Sequence, residues 1–213
     1  GKIKKLTKPV KIGIVGKYFE TGDFTLADSY ISVIESLQFA CWANGVRPEF
    51  TWLSAERYEK SSAAVKELKQ YDGILIPGGF GSRGTEGKIQ AIRFCRENNI
   101  PYFGLCLGLQ LAVIEFARNV CGLKDATSTE FNTKAKTPVI DVMPDQKDKI
   151  KAKDYGATMR LGAYPANLKK GTIAREVYGK NKVSERHRHR YEVNPEYVKR
   201  LEKGGLVFSG VSP

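Results

Sequence analysis

One stretch carries residues arranged for covalent chemistry: Pro101-Tyr-Phe-Gly-Leu-Cys106-Leu-Gly-Leu-Gln110. It opens as a short apolar strand and turns between Gly104 and Gly108. It continues as a helix over Leu107 to Asn119, with Leu107, Leu111, Ile114 and Ala117 spaced for one buried face. A G-x-C-x-G turn between strand and helix is a nucleophile elbow with cysteine in the serine position. The nucleophile of such an elbow occupies a tight turn, so the residues two positions away on either side must be small. The following helix aims its N-terminus at the sulfur, where its dipole favours the thiolate. The free N–H of Leu107 can face a developing oxyanion. The same five residues also read as a buried cysteine in a tight turn.

A second stretch, Gly79-Phe-Gly-Ser-Arg-Gly84, is a literal G-x-G-x-x-G between a strand and a helix. A dinucleotide site wants an acidic residue about 20 positions on, at the end of the next strand. Tyr102 to Leu105 hold that place, and the pattern follows the third strand instead of the first. NAD or FAD binding is therefore disfavoured. The loop reads better as backbone donors facing Cys106 from the neighbouring strand end, with Gly79 beside Leu107 as an oxyanion hole. Its alternative is a flexible surface loop. A cysteine nucleophile also wants a base, usually histidine held by a carboxylate. The only histidines, His187 and His189, lie in Glu185-Arg-His-Arg-His-Arg-Tyr-Glu-Val-Asn194. That run alternates at period two, which puts histidines and arginines on opposite faces of a strand. Positive charge at every second residue favours neutral imidazole but fixes no tautomer, so this is a poor place for a base.

The elements that must position these residues are those of an α/β fold. Apolar runs at Lys11–Gly16, Arg47–Leu53, Asp72–Pro77 and Ile100–Leu105 read as strands. Between them, Asp28–Gly45, Ser61–Lys69 and Thr85–Asn98 read as helices, the first with Ile31, Ile34, Leu37 (or Gln38) and Cys41 inward. Such alternation predicts a mostly parallel sheet with helices on both faces, and it puts Cys106 at the carboxyl end of a strand, where open sheets place ligands. Lys17–Asp23 reads as a polar loop. After Gly122 the pattern changes. Lys124–Lys136 reads as loop, Pro138–Met143 as strand, Pro144–Asp154 as charged surface loop, and Gly156–Tyr164 and Gly171–Val177 as β-segments. A helix over Pro195–Lys203 and a last strand over Leu206–Val211 close the chain. Gly1–Lys8 is basic and linker-like, and the domain proper begins at Pro9.

Composition limits the function classes. With 213 residues, 41% hydrophobic and 27% charged, the chain has room for one α/β domain. No apolar run approaches a membrane span, and Gly1-Lys-Ile-Lys-Lys-Leu lacks a signal-peptide core. Cys41, Cys95, Cys106 and Cys121 are too sparse for a disulfide framework and show no C-x-x-C spacing. Cys41, Cys95 and Cys121 read as small core residues in helices, and a reducing cytoplasm fits. The net charge is +12, from 35 basic and 23 acidic residues spread along the chain. An anionic small molecule such as a nucleotide, or an acidic partner domain, accounts for it better than nucleic acid does.

Pro77-Gly-Gly-Phe-Gly81 and Gly104-Leu-Cys-Leu-Gly-Leu-Gln110, in that order, resemble the class I (triad) glutamine amidotransferases. Four further stretches narrow the resemblance to the glutaminase domains of the CTP synthase family. They are Val15-Gly-Lys-Tyr18 with Asp28-Ser-Tyr30, Ser128-Thr-Glu-Phe131, Thr158-Met-Arg-Leu-Gly162 and the arginine-histidine run. The resemblance covers nearly the whole chain. It implies a flavodoxin-like fold with an additional small β region in the C-terminal half. It implies that Cys106 attacks the side-chain amide of L-glutamine, forms a glutamyl thioester and releases ammonia. The ammonia would pass to an N-terminal synthase domain of the same polypeptide, where UTP, activated by ATP and Mg²⁺, becomes CTP. It implies no cofactor or metal in this domain, GTP as activator, and a homotetrameric full-length enzyme.

Residue by residue, the resemblance makes Cys106 the nucleophile and Gly79 with Leu107 the oxyanion hole and part of the substrate site. Gln110, Glu130 and Arg190 match positions that hold glutamine. A carboxylate suits the substrate ammonium, and an arginine suits its carboxylate. Phe80 and Arg83 match lid and GTP contacts. The family's base and its orienting acid come as a His-Pro-Glu motif, which does not occur in these 213 residues. The resemblance therefore implies a truncated domain. Two other readings stay open: a peptidase-like or chaperone-like relative of the same fold, and a nucleotide-binding regulatory module without chemistry.

Overall fold

The apolar runs of the first half become strands because their side chains find cover on both faces. In the computed structural model, which describes residues 2–16, 30–143 and 160–213, they are β1 (Pro9–Gly16), β2 (Arg47–Ser54), β3 (Gly73–Ile76) and β4 (Tyr102–Gly104). All pair in parallel, in the order β2-β1-β3-β4. The chain leaves β1 for β2 on one side and returns to β3 on the other. That reversal opens a crevice at the carboxyl ends of the strands. Helices α1 (Ile31–Ala43), α2 (Ala55–Lys60) and α3 (Thr85–Glu97) make the crossovers, and α4 (Leu107–Asn119) follows β4. Ile14, Val15, Ile74, Leu75 and Ile76 are all buried in this sheet.

In this first half, α1 and the segment after β2 differ in detail from the expectations. Leu37 and the buried Cys41 lie on the inner face of α1 as expected, but Val33 joins Leu37, packed with Tyr30 and Trp52 around Ile14 and Leu75, while Ile31 is half exposed. The segment after β2 divides into α2, for which no helix was expected, and a helix over Ser62–Gln70, within one residue of the one expected, which is of the 3-10 type. Three residues per turn put Val65 and Leu68 on one face, and both are buried. The expected loop over 17–23, the first residues of the expected helix at 28 and 29, and the loop over 144–154 lie outside the described residues, as do 156–159.

The chain divides into two units, Gly1–Glu115 and Phe116–Pro213, with the division inside α4. The second unit contains β5 (Ala126–Ser128), β6 (Thr137–Val142), β7 (Arg160–Leu168), α5 (Ile173–Tyr178), β8 (Lys182–His189), β9 (Tyr191–Val193), α6 (Pro195–Lys203) and β10 (Gly210–Val211). These strands form two small sheets, β5-β6-β9 and β10-β7-β8. The additional β region is therefore present. The β-segment expected over Gly171–Val177 is a helix. The Thr172 side chain caps it by accepting from Arg175 N, and Gly179 closes it at φ 63°. Ile173 and Val177 are spaced for a helix face, but both stand about four-fifths exposed, so no core dictated their state. The strand expected over Leu206–Val211 pairs only at Gly210–Val211. The helix over Pro195–Lys203 is as expected. Asn194 caps it and Pro195 begins it at a position where a missing N–H costs nothing.

Candidate active site

The elbow is built by glycines that let three backbone segments converge. Cys106 stands between β4 and α4 at φ 50°, a left-handed conformation uncommon for a residue with a side chain. A carbon added at Gly104 would lie 2.5 Å from both the Gly108 carbonyl carbon and the Tyr102 hydroxyl. A carbon added at Gly108 would run into the backbone carbonyl of Ile76 at the end of β3. The two glycines therefore let α4 start directly against β3 and β4. Leu105 N donates to Ile76 O at 3.0 Å, Gly108 N to Leu105 O at 2.9 Å, and Gln110 N to Cys106 O at 3.1 Å. Tyr102 fixes the turn from below by donating its O–H to Gly108 O at 2.6 Å. Burial holds that phenol well above its ordinary pKa, so it stays a donor. The resulting Cys106 is exposed.

The glycine loop after β3 lies alongside this turn. A carbon added at Gly78 would sit 3.4 Å from Cys106 Cβ and 4.0 Å from its sulfur, and one at Gly79 would sit 3.5 Å from Leu107 Cδ2. Leu107 is the first residue of α4, so its N–H has no acceptor within the helix. Gly78 thus lies beside the cysteine, and Gly79 beside the first residue of α4. Gln110, one turn along α4, is buried. Phe80 is exposed, and Arg83 Nε donates to Glu56 Oε1 of α2 at 2.6 Å. Gly78 and Tyr102 were missed as site residues. The glycine doublet was a visible signal for the first, and nothing short of the fold marks the second.

The other cysteines are chemically distinct. Cys41 and Cys95 are buried, and burial pushes the Cys95 thiol up to about 12 and the Cys41 thiol up as well. Cys121 is not in a helix as expected. It sits in the turn beyond α4, half-buried, with its sulfur 3.9 Å from Arg200 O, and burial raises its thiol too.

Glu130 and Arg190 belong to the second unit. Glu130 follows the carboxyl end of β5, which runs parallel to β6, and Arg190 precedes β9, which runs antiparallel to β6. The pairing of Val142 with Tyr191 puts both at one end of that sheet. Arg190 is buried, and its carbonyl accepts from Met143 N at 3.1 Å. The expected alternation of the arginine-histidine run is present: His187 and His189 are half-buried, and Arg186 and Arg188 are exposed. The two rings meet one another, His187 Nδ1 to His189 Nε2 at 2.8 Å. Among the described residues no helix is long and apolar enough to cross a membrane, and no group of His, Cys, Asp or Glu could hold a metal.

The family model for class I glutamine amidotransferases matches residues 25–213. The CTP synthase of Methanococcoides burtonii is 54% identical over 209 residues, 98% of this chain and 38% of that protein. That of Thermococcus kodakarensis is 53% identical over 211 residues, 99% of this chain and 38% of that protein. The chain thus spans well under half the length of these curated relatives. In three dimensions it is similar to the glutaminase domain of Trypanosoma brucei CTPS with bound acivicin. The TM-score is 0.86 at 42% identity, covering 96% of this chain and 75% of that one. With a cysteine elbow at the carboxyl end of a parallel sheet and these matches, the chain belongs to the class I glutamine amidotransferases and, among them, to the glutaminase domains of the CTP synthases.

Proposed function

We propose that this chain takes the side-chain nitrogen from L-glutamine through a thioester on Cys106. The sulfur bonds to the amide carbon, the carbon–nitrogen bond breaks, and ammonia leaves. Water then cleaves the thioester, which returns the thiol and yields glutamate. The oxyanion of each tetrahedral intermediate would be met by the N–H groups of Gly79 and Leu107. Gln110, Glu130 and Arg190 would hold the amino acid, Glu130 at its ammonium and Arg190 at its carboxylate. The observation that carries this reading is the elbow: Cys106 at φ 50°, exposed, with Gly78 and Gly79 beside it.

In a longer protein like the curated relatives, the ammonia would aminate UTP to CTP in a synthase domain that uses ATP and Mg²⁺, in the cytoplasm and within a homotetramer. GTP would activate the glutaminase step through Phe80 and Arg83. A phosphate there would compete with Glu56 for the arginine. Turnover needs a base for the thiol and for the hydrolytic water. The two histidines of this sequence are engaged with each other, so hydrolysis by the 213 residues alone should be slow.

The test is therefore capture of the nucleophile. The chain and Cys106→Ser are incubated with a glutamine-mimicking diazoketone, and the adducts are located by mass spectrometry. A single adduct on Cys106, suppressed by excess L-glutamine, is expected. Equal labelling of Cys41, Cys95 and Cys121, or no adduct, would count against a formed site.

A further inference from the structure

Arg190 occupies a junction. β8 belongs to the sheet β10-β7-β8 and ends at His189, and β9 belongs to the sheet β5-β6-β9 and begins at Tyr191. The chain passes from one sheet to the other at this single residue, whose two backbone angles decide where its buried side chain is aimed. A contact spans the junction: His189 Nδ1 lies 3.2 Å from Tyr191 O. A carbonyl oxygen only accepts, so Nδ1 carries the proton. In the neutral ring Nε2 is then an acceptor, and it lies 2.8 Å from His187 Nδ1, which must donate. Each ring thus fixes the tautomer of the next. His187 is held in turn by Tyr164 of β7, whose ring meets it edge-on at 5.4 Å and 71°. The ladder partner of His187 is Gly162, which has no side chain to obstruct that ring.

From this chain of contacts we infer that His189 is a positioning residue for Arg190. It clamps the backbone on both sides of the arginine, and His187 keeps its proton on the nitrogen that does so. The histidines of the arginine-histidine run would then serve substrate binding, by aiming the guanidinium at the α-carboxylate of the amino acid. This inference rests on the reading of Arg190 as the carboxylate-binding residue. Asparagine can stand in for His189, because its side-chain amide places an N–H close to where Nδ1 lies. Alanine cannot.

The experiment measures alkylation of Cys106 by iodoacetamide, peptide by peptide, with increasing L-glutamine as protectant. The expected result for His189→Ala is an unprotected rate equal to that of the parent and a half-protecting glutamine concentration about tenfold higher, as for a weakened hydrogen bond to a charged group. His189→Asn should restore the parental value. A parental half-protection in His189→Ala would overturn the inference. So would an Asn variant as impaired as the Ala variant, or a changed unprotected rate, which would mark a structural role only. Arg190→Ala separates the two levels. If it loses protection while His189→Ala keeps it, the substrate reading stands and the clamp fails. If Arg190→Ala protects like the parent, or glutamine does not protect the parent, the substrate reading fails and takes the inference with it.

Discussion

A non-glycine residue held in the left-handed region costs about 1–3 kcal/mol, and it persists only where its surroundings leave no alternative. At Cys106 those surroundings are two glycines and a tyrosine. Gly104 admits Gly108, Gly108 admits the end of β3, and Tyr102 ties the Gly108 carbonyl. The identity of both glycines is thus steric and not a matter of chain freedom. Gly108→Ala would push a methyl group into the Ile76 carbonyl, so β3 and the start of α4 must separate. The expected cost is about 3 kcal/mol in a denaturant titration, with loss of glutamine-protected labelling at Cys106. Gly73→Ala, whose added carbon would lie 3.6 Å from its nearest neighbour, is the control and should leave labelling unchanged.

At the scale of elements, α4 presents the nucleophile only if it is anchored. Its apolar face of Leu107, Leu111, Ile114 and Ala117 is buried as the spacing predicts. Its polar anchor was not legible. Glu115 is 1% exposed and accepts from Arg96 of α3 through Nε at 3.1 and 3.0 Å and Nη2 at 2.7 Å. Removing one partner leaves a buried carboxylate, whereas removing both leaves an apolar contact. Arg96→Met should therefore destabilise by about 2 kcal/mol in urea unfolding, and Arg96→Met with Glu115→Leu should recover most of that. Equal losses in the single and double variants would mean that the pair contributes nothing beyond its packing. The helix over Ile173–Tyr178 shows the converse case. With its apolar residues left in solvent, a capping threonine and a closing glycine decided its state.

Taken over the whole chain, the residues behind the net charge of +12 are spread along the sequence and not gathered in one run. Retention on duplex DNA should be weak, independent of sequence, and gone by roughly 0.2 M salt. Retention that survives such salt would reveal a basic surface that the spread of charges does not predict. The sequence alone determined the parallel sheet, the elbow, the glycine loop beside it and the family, because each follows from local patterns: apolar runs, glycine spacing, and the order of short motifs. The tertiary structure decided what depends on partners distant in the chain. Gly78 meets the cysteine only because β3 and β4 are neighbours. Arg83 is paired by Glu56, 27 residues earlier. Arg190 is aimed by a junction between two sheets. The shared face of His187 and His189 was legible from the period-two run, whereas the edge-on ring of Tyr164 against His187 comes from β7, 23 residues earlier. A hydrogen bond between side chains requires a fixed distance, and only packing fixes distances between segments that the sequence leaves unconnected.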